Sequence, residues 1–97
     1  MLIRTQKRNV MYKFQFFMGV CIEPLKIKDG KRYKFDSDYG ADVFAVYLLG
    51  QDTGEYLLGE YTTKEKAMKV LDLIYDTYRS LQFAEGIRFQ MPKDSEV

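Results

Sequence analysis

The chain has 97 residues, of which 46% are hydrophobic, 15% aromatic and 30% charged, as expected for one small globular domain and not for a disordered chain. It contains no histidine and a single cysteine, Cys21, which excludes catalysis through histidine, zinc sites that need an imidazole and an internal disulfide framework. The net charge of +1 is unevenly distributed. Residues 1–35 carry nine Lys/Arg and two Asp/Glu, whereas residues 36–97 carry six Lys/Arg and twelve Asp/Glu. Such an arrangement marks a nucleic-acid surface, or the two halves neutralise each other, or both sets of charges are solvated.

The N-terminal third is predicted to form strands. Residues 2–6 form a short first strand, and residues 11–22 form a long, aromatic-rich strand that bends near Gly19, since a glycine inside a strand often marks a bulge. The apolar stretch after Lys13 resembles part of a signal peptide. Val20, however, is bulky where such a peptide needs a small residue before its cleavage site, so we do not expect a cleaved signal. No run approaches the roughly 18 apolar residues that span a bilayer, so we expect a cytoplasmic protein without a membrane partner.

A basic hairpin is predicted over residues 25–35. Asp29-Gly30 predicts a two-residue turn with positive φ, and the cations of this hairpin are Lys26, Lys28, Lys31, Arg32 and Lys34. Two interpretations remain open. Cations neutralise phosphates while neighbouring aromatic rings stack on unpaired bases, but lysines on an edge hairpin also prevent aggregation between strands.

The polar segment over residues 36–42 is predicted to be a loop. Its alternating acids resemble a calcium loop, but Ala41 and Tyr47 stand where an EF-hand loop beginning at Asp36 requires glycine and glutamate. We therefore expect no metal site, and the sequence indicates no cofactor and no small-molecule ligand.

The motif YLLG occurs twice, at residues 47–50 and 56–59, and predicts a hairpin. A four-residue loop ending at a left-handed Gly54 would place Leu49 opposite Tyr56. Both faces of this hairpin would be apolar, and one helix can cover only one face. The other face must then be covered by the early strands or by a second copy of the chain.

The clearest element is a helix predicted from Thr63 to Gln82. Thr62 and Glu65 fit a capping box, and an apolar stripe recurs at helical spacing, comprising Ala67, Val70, Leu71, Ile74, Tyr78 and Leu81. Leu73 lies off this stripe and is either incidentally exposed or a contact with a partner. The candidate dimer or packing surface comprises Tyr47, Leu49, Tyr56, Leu58 and Leu73.

The predicted fold is one α+β domain over residues 1–92. It consists of a curved antiparallel sheet of five to seven strands, with barrel-like closure as a further option, and one long C-terminal helix. A short strand over residues 87–91 follows the helix and ends at Pro92. Residues 93–97 are predicted to be a flexible tail.

Three segments stand out together: MLIRTQ at residues 1–6, LGEYTTKEKAMKVLD at residues 58–72 and FQMP at residues 89–92. In combination they resemble a group of small uncharacterised proteins from Gram-positive bacteria and their prophages or other mobile elements. The resemblance covers the start and the C-terminal part of the chain, and the middle differs. It implies a bacterial or phage accessory protein and transfers no catalytic residue.

The sequence therefore predicts a non-enzymatic accessory or interaction protein that self-associates as a homodimer. The alternative is a nucleic-acid-binding module that uses the basic N-terminal third. We nominate no catalytic residue, because no base, nucleophile or metal constellation occurs in the sequence.

Overall fold

The computed structural model describes residues 1–80 and 88–97. Within them the chain forms seven strands in two sheets and one α-helix, which confirms the predicted α+β class. Over these residues neither sheet closes into a barrel. The elements are β1 (Leu2–Arg4), β2 (Met11–Lys13), β3 (Phe17–Lys28), β4 (Lys31–Lys34), β5 (Val43–Gly50), β6 (Glu55–Tyr61), α1 (Lys64–Ser80) and β7 (Arg88–Gln90).

The small sheet has the strand order β2-β1-β7. β1 is antiparallel to β2 but parallel to β7, so the prediction of a single antiparallel sheet is wrong here. Ile3 is fully buried, and Tyr12 and Phe89 pack against the same core. Because successive side chains of a strand point to opposite faces, the neighbours of these three residues form the outer face of the small sheet.

The large sheet has the order β4-β3-β5-β6, with antiparallel pairs throughout. The predicted strand over residues 11–22 is divided, because the 3-10 turn Phe14–Phe16 separates β2 from β3. The register of β3 on β5 shifts between Phe17 and Gly19, so the irregularity lies at the predicted bend.

The first hairpin turn is confirmed. Asp29 and Gly30 have φ values of 53° and 76°, and Lys28 lies opposite Lys31. Positive φ at both central residues is the pattern that an Asp-Gly turn supplies between antiparallel strands.

The YLLG hairpin exists, but its predicted register is wrong by one residue. Leu49 pairs with Glu55 and not with Tyr56, because the loop has three residues and is closed by a 2.9 Å hydrogen bond from Gly50 N–H to the Gly54 carbonyl. The left-handed residue is Thr53, with a φ of 63°. An irregularity after Val46 then leaves Leu58 as an extra residue on β6, as in a β-bulge.

α1 covers one face of the large sheet. Ala67, Val70 and Ile74 are buried against Phe44 and Val46, as the helical spacing predicts. The capping residue is Thr63, one position later than predicted, since its hydroxyl accepts a 3.2 Å hydrogen bond from Lys66 N–H. Tyr78 is 51% exposed and therefore is not a core residue of the stripe. Leu81, the predicted helix end at Gln82 and Ile87 of the last strand lie outside the described residues.

The last residues lie against the start of α1. Residues Asp94–Glu96 form a 3-10 turn, and the Asp94 carboxylate accepts hydrogen bonds from Thr62 N–H at 2.7 Å and from the Lys66 ammonium at 3.1 Å. The predicted mobility of residues 93–97 stays a prediction, but these contacts give the segment a defined place in the fold.

Candidate functional site

The cations of the basic hairpin are largely engaged within the chain. Arg32 forms a bidentate pair with Glu60, at 3.1–3.2 Å from both carboxylate oxygens. Lys34 contacts Glu55 at 2.6 Å and Glu23 at 3.2 Å. These carboxylates hold the ammonium in its charged form, and the pKa of Lys34 is raised mainly by its hydrogen bond to Glu55.

The remaining hairpin cations differ in their surroundings. Lys26 lies 3.9 Å from Asp42 and above the Phe35 ring. Lys28 and Lys31 are exposed, lie opposite each other at the hairpin end, and have no ion-pair partner within residues 1–80 and 88–97. Only two of the five predicted nucleic-acid contacts therefore keep an uncompensated charge.

These ion pairs lie over the face of the large sheet that points away from α1, which we call the reverse face. Arg32 and Lys34 belong to β4, which is one edge strand of the sheet. Glu60 and Glu55 belong to β6, which is the other edge strand. Ala45 and Leu25 on the reverse face are 0% and 2% exposed. The basic hairpin thus supplies part of the cover that the apolar hairpin requires.

The five residues of the predicted dimer or packing surface do not form one surface. Leu58 is buried in the core beneath α1, and Tyr56 packs against the same core. Tyr47 and Leu49 are half-buried and alternate with core residues of β5, so they lie on the reverse face. Leu73 is 46% exposed on α1, which agrees with both of its predicted roles.

A different exposed apolar region lies beside β3. β4 pairs only with Leu25–Lys28, and β5 occupies the other side of the strand. In the described part of the chain, no strand pairs with the outer edge from Phe17 to Glu23. We call this segment the β3 edge.

An apolar groove of about 430 Å³ lies between β3 and α1 and shares Val20 with the β3 edge. Its other lining residues are Phe14, Leu71, Asp72, Ile74, Tyr75 and Tyr78. The Phe14 and Tyr78 rings are in contact, with centroids 5.1 Å apart. Met18 of the β3 edge is 74% exposed, and Val20 is the residue at which the edge adjoins the groove.

Two titratable groups of the large sheet, Cys21 and Tyr47, have raised pKa values. The pKa of the Cys21 thiol is raised, first by burial and then by the carboxylates of Glu23 and Glu55, and a thiol that resists ionisation is a poor nucleophile. Burial also raises the pKa of Tyr47. Over the described residues, no three His, Cys, Asp or Glu side chains are grouped as metal ligands.

The outer face of the small sheet carries cations that were not nominated as site residues from the sequence. Arg4, Lys13 and Arg88 lie on it, at positions that alternate with Ile3, Tyr12 and Phe89. The alternation of cations with apolar residues around Ile3 and Tyr12 was a readable signal. The parallel pairing that brings Arg88 beside Leu2 was not, because it joins residues from opposite ends of the chain.

Comparisons with protein-family models, with curated proteins and with solved structures find no match to this chain. Among the described residues, no helix has both the length and the apolar character needed to cross a membrane.

Proposed function

We propose that this protein is a non-enzymatic accessory protein of bacterial or mobile-element origin that works in the cytoplasm by self-association. The observation that carries the proposal is the β3 edge with its adjacent groove. An unpaired strand edge presents free N–H and C=O groups, and natural proteins normally protect it with charges, lysine or proline. Residues 17–22 contain none of these.

The occupant that fits this region is a second copy of the chain. Two β3 edges related by a two-fold axis would pair in antiparallel fashion and would join the two large sheets. The edge meets its copy without repulsion between like charges, because Glu23 at its end is already paired with Lys34 at 3.2 Å. The aromatic residues of the two grooves would be buried in the same contact.

The proposed interface differs from the surface that the sequence indicated. The reverse face, where a second copy was one of two expected covers, has the side chains of the basic hairpin over it. We infer that the large sheet is strongly curved, because ion pairs between β4 and β6 span two intervening strands that are each about 4.8 Å apart in a sheet. This curvature supports cover of the reverse face from within the chain.

Sedimentation or light scattering at micromolar concentrations tests self-association. We expect a reversible species of twice 11.4 kDa, and Met18→Lys should weaken it by at least about tenfold, because the new ammonium would have to be desolvated at the edge. Tyr39→Lys is the matched control, since Tyr39 is 92% exposed and lies outside the β3 edge. A monomer at all concentrations, or equal effects of the two variants, would contradict the proposal.

A further inference from the structure

The outer face of the small sheet, defined here by Leu2, Arg4, Met11, Lys13, Arg88 and Gln90, is a compact basic surface. Lys13 and Arg88 lie opposite Leu2 on its two sides, and Arg4 lies two residues along the central strand. Neighbours across strands have Cβ atoms about 5 Å apart and diagonal neighbours about 7–8 Å. Three cations therefore lie within roughly 10 Å of one another.

Within residues 1–80 and 88–97, no carboxylate compensates the positive charge of this face. Residues 1–22 contain no acidic residue, and neither does β7. In the described part of the chain, Arg4, Lys13 and Arg88 make no ion pair. This contrasts with the basic hairpin, where Arg32 and Lys34 both contact carboxylates.

Arg4 is held in place by a neutral group. Its Nε donates to the Gln90 side-chain carbonyl, and the orientation of that carboxamide is fixed because its NH₂ group donates to the Thr5 and Met91 carbonyls at 3.1 and 2.8 Å. Because this carboxamide is uncharged, it positions the guanidinium and does not neutralise its positive charge. Its two terminal nitrogens have no partner among the described residues, which leaves the planar fork available for an anion such as a phosphate.

An exposed aromatic ring lies beside these cations. Phe16 is 63% exposed, and the Lys13 ammonium lies 5.6 Å from its ring centroid. Phe16 follows β2 directly, in the 3-10 turn Phe14–Phe16, and so stands at the margin of the basic face. Proteins that bind single strands combine two features: cations that follow the phosphate backbone, and aromatic rings on which bases stack.

We propose that the outer face of the small sheet binds single-stranded nucleic acid, with Arg4, Lys13 and Arg88 on successive phosphates and Phe16 stacked on a base. Lys7 and Arg8 are exposed in the loop that joins β1 to β2. A duplex offers no free base face to Phe16, so single strands should bind more tightly. The proposal concerns a surface other than the β3 edge and does not depend on self-association.

The test is the binding of fluorescent oligothymidine and oligouridine, followed by anisotropy over a range of salt concentrations. The double variant Lys13→Gln/Arg88→Gln removes two exposed cations of the outer face that make no ion pair within the described residues. Lys28→Gln/Lys31→Gln removes two exposed cations of the hairpin end that likewise lack an ion pair in the described part of the chain. Both variants change the net charge from +1 to −1, so any difference between them reports the position of the charge and not its amount.

We expect the outer-face variant to bind at least about tenfold more weakly at low salt. Its plot of log affinity against log salt should be flatter by about 1.4, which is two contacts at about 0.7 each for single strands. The hairpin variant should stay within about twofold of the natural protein. Equal losses in the two variants would overturn the assignment of the site, and absence of binding by the natural protein at low salt would overturn the proposal.

Two further variants separate this partner from other polyanions. Phe16→Leu should weaken binding at least about fivefold through loss of stacking, and Arg4→Gln should remove one phosphate contact while circular dichroism reports that the fold is intact. Vesicles containing anionic lipid and a polyglutamate peptide serve as competitors. If either competes as well as the oligonucleotide, and Phe16→Leu has no effect, the surface is a general polyanion site and the nucleic-acid assignment is wrong.

Discussion

Thr53 closes the β5–β6 turn with a φ of 63°, a left-handed conformation that is uncommon for a residue branched at Cβ. The neighbouring Asp52 organises the turn, because its carboxylate accepts hydrogen bonds from Gly54 N–H at 2.9 Å and from the Tyr56 hydroxyl at 2.6 Å. Both bonds lower the pKa of Asp52. The side chain of Asp52, and not the freedom of Gly54, therefore fixes where the turn lies.

Thr53→Gly should stabilise the protein. A left-handed conformation costs an ordinary residue about 1–2 kcal/mol, and the greater freedom of glycine in the unfolded chain offsets about 0.5–1 kcal/mol of this gain. We expect a net increase of about 0.5–1 kcal/mol in the free energy of unfolding, measured by urea denaturation. Asp29→Gly is the control. It should give no comparable gain in the free energy of unfolding, because aspartate tolerates the φ of 53° at that position. A loss of stability in Thr53→Gly would show that the threonine is not strained.

At the scale of elements, Gln6 links the end of β1 to the large sheet. Gln6 extends along the free edge of β6, where its backbone N–H donates to the Leu58 carbonyl at 2.8 Å. Its carboxamide accepts from Glu60 N–H at 2.8 Å and donates to the Glu60 carbonyl at 3.1 Å. The side chain thus forms the pair of hydrogen bonds that a further strand would form. The same NH₂ group also donates to the Pro92 carbonyl at 3.2 Å.

Gly59 makes this arrangement possible, and Gly59→Ala should destabilise the protein. A Cβ atom at this position would lie 3.0 Å from Gln6 Cβ and 3.1 Å from its Oε1, and Gln6 is fixed by hydrogen bonds to both sides. We expect a loss of about 1–3 kcal/mol, as for overpacked sites, seen in thermal unfolding as roughly 4–8 °C per kcal/mol for a domain of this size.

Two controls test the cause of that loss. Gly19→Ala should be well tolerated, because a Cβ atom there would meet nothing within 4 Å. In a double-mutant cycle, Gly59→Ala should cost much less in a Gln6→Gly background, because that change removes both Cβ and Oε1 of Gln6, the atoms that the added Cβ would meet. An equal cost in both backgrounds would place the strain elsewhere than against Gln6.

Elements set by local pattern could be predicted from the sequence. The helix has a spacing of three and four in its apolar residues, and the Asp29-Gly30 turn depends on two adjacent residues. The register of the YLLG hairpin could not be predicted. The sequence suggested Gly54 as the left-handed residue of the turn, but the hydrogen bonds of the Asp52 side chain favour a turn in which Thr53 is left-handed. The division into two sheets could not be predicted either, because the parallel pairing of β1 with β7 joins Leu2 to Arg88, and no local signal specifies so distant a partner.

The candidate sites could likewise be predicted from the sequence only in part. The five hairpin cations were identified from their clustering, yet the pairing of three of them with carboxylates depends on tertiary structure. These three are Lys26, Arg32 and Lys34. The uneven charge of the two halves is therefore explained in part by attraction within the fold. Within the described residues, the cations of the small sheet, which are fewer and more dispersed in the sequence, have no ion-pair partner, as is also true of Lys28 and Lys31.

At the scale of the whole molecule, the C-terminal segment closes onto the start of α1 through Asp94. Its carboxylate accepts from Thr62 N–H and hydroxyl at 2.7 and 3.0 Å, and from Lys66 at 3.1 Å. The bond from Thr62 N–H is the main reason why the pKa of Asp94 lies below its ordinary value. Because the folded state favours the charged carboxylate, this contact contributes stability above the unfolded-state pKa and loses it as the pH falls.

Asp94→Asn should therefore reduce stability at neutral pH, and the difference from the natural protein should disappear on acidification. We expect about 0.5 kcal/mol at pH 7, the range of an ion pair that remains partly in water, and a decline below about pH 4, where an unfolded aspartate becomes protonated. Urea denaturation from pH 7 to pH 2 measures the difference. Asp36→Asn is the control, since Asp36 is exposed and has no ion pair within the described residues. A difference that persists unchanged at pH 2 would mean that hydrogen-bond geometry, and not the charge of Asp94, holds the C-terminal segment against the helix.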